Sequence, residues 1–85
     1  MSKYDDKWLD ICLLLRELQA DGKVSITPAN NSGKIKNLRF RLMERETSSE
    51  TSRVILEVLN LADKFEFFIN NGILEISVFV NVFNT

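Results

Sequence analysis

The sequence has no histidine, one cysteine and one proline in 85 residues. Without histidine, the usual general base near neutral pH is missing. The Ser-His and Cys-His nucleophile pairs and most zinc sites go with it. A lone cysteine, Cys12, excludes an internal disulfide, and a reducing, cytoplasmic setting is the simplest expectation. No apolar run approaches the ~18–20 residues needed to span a bilayer. The opening residues Met1, Ser2, Lys3, Tyr4, Asp5 and Asp6 lack the basic and apolar regions of an export signal. These gaps lead us to expect no enzyme, no cofactor, no metal and no membrane partner.

What is present describes one small α+β domain spanning residues 1–85. The composition, 45% hydrophobic and 27% charged, suits a chain that folds around a core. A domain this small buries only about 60–65% of the surface of its unfolded chain. Net charge is −1, but it is unevenly spread. Residues 1–22 carry three basic and five acidic side chains, residues 23–45 six and one, and residues 46–85 two and six. The middle of the chain is therefore a basic block between two acidic ones.

Helical spacing of Trp8, Ile11, Cys12, Leu15 and Leu18 predicts a first helix from about Lys3 to Gln19. Ser2 and Asp5 suit a capping pair at its start, and Asp21-Gly22 suits a left-handed cap at its end. Leu9 and Leu13 fall outside the apolar stripe. A strand follows over Lys23 to Thr27, then a loop at Pro28-Ala29-Asn30-Asn31-Ser32-Gly33. A second strand runs from Lys34 to about Arg45. Its apolar phase changes between Ile35 and Leu38, which a bulge near Lys36-Asn37 would repair. Thr47-Ser48-Ser49-Glu50 reads as a capping box that opens a second helix, whose stripe is Val54, Ile55, Val58, Leu59, Leu61 and Ala62.

Residues 64–70 admit two readings, a continuation of that helix or a strand. We favour the strand, because Asn71-Gly72 suits a two-residue type I′ turn in which both residues need positive φ. That turn sets Ile69 against Leu74, Phe67 against Ile76 and Phe65 against Val78, all on one face. The order α-β-β-α-β-β then predicts a four-stranded antiparallel sheet with two helices on one face. In topology this resembles a circularly permuted ferredoxin-like sandwich, with the second and last strands adjacent at the sheet centre. The analogy concerns fold alone and implies no function.

Two constellations are candidate binding surfaces. Lys34, Lys36, Arg39, Arg41 and Arg45 crowd the second strand, near Phe79 in the expected sheet order. The plain reading is a solvated face whose arginine stems cover apolar surface. An acidic protein partner is the first functional alternative. The second is single-stranded RNA or DNA stacked on an open sheet. Phe68, Ile73, Phe79 and Phe83 form an apolar set on the face away from the helices, which suggests a homodimer or partner contact. Sheet-face dimerisation and edge pairing through residues 78–83 both fit that set.

Cys12 reads as a core residue, and Asp5, Asp6 and Asp10 as partners of the helix dipole, not cation ligands. Ser32-Gly33-Lys34 lacks the glycine and the setting of a phosphate loop. Asn30-Asn31-Ser32 matches a glycosylation acceptor, which has meaning only in a secreted chain. The expectation is a binding protein, an adaptor or inhibitor docking on another protein. Size and missing chemistry place it among the small regulators carried by phages and other mobile elements, including inhibitors of host defence.

Overall fold

A computed structural model describes residues 3–27, 35–43 and 48–80, with side chains from Lys7 onward. Its elements are α1 (Lys3–Ala20), β1 (Val24–Thr27), β2 (Lys36–Leu42), α2 (Ser49–Leu61), β3 (Lys64–Asn70) and β4 (Ile73–Val80). The strands form one antiparallel sheet in the order β1-β2-β4-β3. The predicted element order and the central β2–β4 pairing are both present. Of the proposed capping pair, Ser2 lies outside the described residues.

Local chemistry explains the element ends. Gly22, at φ 75°, takes the left-handed position after α1. Its N–H donates to the Gln19 carbonyl, and the Lys23 N–H donates to the Leu18 carbonyl. Together these bonds satisfy two carbonyls that the helix end would otherwise strand. At α2 the cap is Ser48, one residue later than the predicted box. Its Oγ accepts from the Thr51 N–H at 3.2 Å. Thr51 itself is buried, so its hydroxyl takes a hydrogen bond from Ser48 at 3.0 Å in place of a solvated Glu50.

β3 is a strand. Asn71 (φ 56°) and Gly72 (φ 78°) make the tight reversal, and the expected pairs Ile69–Leu74, Phe67–Ile76 and Phe65–Val78 lie in register. The bulge expected near Lys36-Asn37 is absent from β2. Its pairing with β4 runs one-to-one from Lys36 opposite Val80 to Arg41 opposite Glu75. Ile35 therefore falls on the face of Asn37 and Arg39, and Lys36 on the helix-side face with Leu38 and Phe40. At the strand end a lysine tolerates that position, because its apolar stem can lie along the sheet while the ammonium reaches water.

The core joins Ile11, Leu15 and Leu18 of α1 and Ile55 and Val58 of α2 to Val24, Phe40, Ile76, Val78 and Val80 of the sheet. Lys7 Nζ and Asp63 Oδ1 form a 2.5 Å ion pair that ties the start of α1 to the joint between α2 and β3. No residue of β3 belongs to that core. Phe40 sits at its centre with no exposed surface. Phe40→Ala should lower unfolding free energy by about 3–5 kcal/mol, read as a shifted midpoint with unchanged slope in urea.

Candidate interaction surface on the sheet

The sheet face away from the helices carries Asn37, Arg39 and Arg41 from β2, Ile73, Glu75, Ser77 and Phe79 from β4, and Lys64, Glu66, Phe68 and Asn70 from β3. Arg39 meets Phe68 and not Phe79. Its guanidinium lies 4.6 Å from the Phe68 ring centre, reaching across β4 to β3. The reach is possible because the intervening Ser77 is small, and Ser77 is 2% exposed between Arg39 and Glu66. Its hydroxyl accepts from Asn37 Nδ2 at 2.9 Å, and Asn37 also donates to the Val78 carbonyl. Phe79 lies opposite Asn37 and carries the Lys64 ammonium 5.4 Å from its ring centre.

The candidate basic patch is thus divided. Arg39 and Arg41 share this face, whereas Lys36 is on the other. Glu75 stands opposite Arg41, and Glu66 follows Ser77 in the Arg39 row, so carboxylates interleave with the guanidinium groups. Among the described residues, both outward rings, Phe68 and Phe79, already face a cation of this chain. Phe68 and Ile73 are exposed, and Phe79 is half-buried. Lys34, Arg45 and Phe83 lie outside the described residues.

The larger apolar exposure is on the opposite face of β3, the face on which Ile76 and Val78 of β4 join the core. Every residue of β3 is exposed. Phe65 is 44%, Phe67 54% and Ile69 79% accessible, although their cross-strand neighbours Val78 and Ile76 are buried. The Phe65 and Phe67 rings touch each other, with centres 5.4 Å apart and planes tilted by 46°. On the helical wheel, Glu57 and Leu61 of α2 lie toward α1, where they line a shallow cleft with Asp10, Leu13, Leu14 and Glu17. The buried core joins both helices to β1, β2 and β4 and leaves β3 as an uncovered margin. One sequence signal marked this strand, namely apolar residues on both parities (Phe65, Phe67, Ile69 and Phe68).

The two edges of the sheet differ. β1 has four residues, and its outward Ile26 N–H donates to Gln19 Oε1 at 3.0 Å. β3 has seven residues and no proline, and its only lysine is at the first position. Short strands, prolines and side-chain caps blunt an edge against pairing. β1 is blunted and β3 is open. Edge pairing through residues 78–83 is excluded for 78–80, because β4 lies between β2 and β3. The remainder of that segment lies outside the described residues.

No protein family, curated protein or solved structure matches the chain. Among the described residues, no group of three or more His, Cys, Asp or Glu side chains is placed to hold a metal ion. Among the described residues, no helix is long and apolar enough to cross a membrane. Cys12 is half-buried, and burial pushes its thiol above the ordinary cysteine value, opposed in part by Arg16. A raised value favours the neutral thiol, so any contribution to stability is present at neutral pH and declines as pH rises through the thiol's folded value. Iodoacetamide at mildly alkaline pH should alkylate Cys12 several-fold more slowly in the folded protein than in urea. Mass spectrometry of timed aliquots measures the ratio, and equal rates would contradict it.

Proposed function

We propose that this chain works by docking on another protein chain through the β3 margin, as an adaptor or inhibitor without catalysis. The observation that carries this reading is the exposure of Phe65, Phe67 and Ile69 on the helix side of an open edge strand. An added strand would take main-chain bonds from the edge, while its side chains cover the rings, a recurrent mode of peptide and protein recognition. The absence of histidine from the sequence agrees with a binding role.

The sheet's other face supports a protein ligand over nucleic acid. A single-stranded ligand needs free rings and an unbroken run of cations to follow phosphates. Here Phe68 and Phe79 sit against Arg39 and Lys64, and Glu66 and Glu75 break the run. A labelled single-stranded oligonucleotide should show no saturable binding even at low salt. Steep salt-dependent binding would instead support the nucleic-acid reading.

The direct test compares affinity capture from extract of the native cell by the wild-type protein and by Ile69→Lys. Ile69 is the most exposed of the three, so the change should leave the fold intact by circular dichroism. Burying an isoleucine contributes roughly 1.5–3 kcal/mol, so the substitution should weaken a partner at least about tenfold. Proteins captured equally by both forms would place docking elsewhere on the molecule.

A further inference from the structure

We propose that a second copy of this chain occupies the β3 edge, paired antiparallel about a two-fold axis through Phe67. This rests on the docking reading above and gives its partner an identity. The argument begins with bond direction. In a type I′ hairpin the residues flanking the turn exchange both main-chain bonds, here Asn70 and Ile73. Alternation then turns the N–H and C=O groups of Lys64, Glu66, Phe68 and Asn70 toward β4. Those of Phe65, Phe67 and Ile69 point out of the sheet. The open polar groups and the exposed apolar side chains on the helix side thus belong to the same three residues.

An axis through Phe67 sets Phe67 against its counterpart and Phe65 against Ile69 of the second copy. Each opposed pair on the helix side is then apolar, and each consists of residues whose main-chain groups point outward, so reciprocal ladder bonds form. On the other face, Glu66 meets Phe68 and Lys64 meets Asn70, with no like charges opposed. Moving the axis by one residue breaks this match. Centred on Glu66 it sets that carboxylate against itself. Centred on Phe68 it leaves Lys64 and Phe65 facing the turn. The Phe67 axis alone engages all seven strand residues.

Space for the second copy follows from the same exposure. The helices leave the β3 floor open, so a second sheet can continue the first with its helices on the same side. The exposed apolar surface of Phe65, Phe67, Phe68 and Ile69 is on the order of 400 Å² per copy. About 800 Å² in total lies below the ~1,200 Å² of standard stable interfaces. The dimer should therefore dissociate in the micromolar range.

Sedimentation velocity across a concentration series tests the proposal with the wild-type protein, Phe67→Glu and Phe67→Lys. Wild type should pass from monomer to dimer at micromolar concentration. Each variant alone should dimerise at least about tenfold more weakly, because the axis opposes two like charges. An equimolar mixture of the two should recover the dimer, since only this register sets position 67 against itself. A monomeric wild type, an undisturbed variant, or a mixture that stays monomeric would each overturn the proposal. Amide exchange on the wild-type protein gives a readout independent of how the variants fold. Protection at Phe65, Phe67 and Ile69 should rise with protein concentration, and constant exchange would overturn the pairing. If self-association fails while Ile69→Lys still loses captured proteins, docking at β3 stands and the second copy does not. If both fail, the docking reading falls as well.

Discussion

The ladder between β2 and β4 is the constraint on which the structure depends. The chain consists of two successive α-β-β units, and this pairing is the seam between them. Phe40 opposite Ile76 and Leu38 opposite Val78 bring apolar residues of both units beneath the helices. Without that seam, α1 with β1 and β2 would be left with half a core. The second hairpin would present its apolar face to water on both strands. An isolated hairpin is at best marginally stable. The Lys7–Asp63 pair adds a second tie between the units, at the start of α1 and away from the sheet centre.

Much of this arrangement was legible because short-range signals agreed. Asn71-Gly72 fixes the turn, the turn fixes the register, and the register places Phe65, Phe67 and Ile69 on one face. Gly22 and the spacing from Trp8 to Leu18 mark α1 equally well. Errors arose where two local solutions compete. The phase change at Ile35 reads as a bulge, yet pairing with β4 enforces regular alternation and turns Lys36 toward the helix side. At α2, Thr47 and Ser48 can each cap, and the burial of Thr51 selects Ser48.

The interaction surface was half visible, for a different reason. Alternation says which face a side chain is on but not how far a helix layer extends across that face. Phe65, Phe67 and Ile69 have the parity of core residues, yet the core omits β3 entirely. Conversely, the arginines of β2 look like a free basic patch in the sequence. The fold sets Arg39 against a ring two strands away and Arg41 opposite a carboxylate. Both outcomes depend on lateral distances across the sheet, which no local pattern encodes.

The Gln19 side chain at the Ile26 amide has a consequence for growth. An antiparallel sheet open at both margins is a template for fibres, since each strand added exposes another. Here one margin is short and its Ile26 amide is occupied, which disfavours extension from that side. When two such sheets join by their open margins, both outer rims are the sealed kind. Assembly through the β3 edge, as proposed, would therefore stop at two copies, with the glutamine that limits it on the far side of the sheet from the exposed rings.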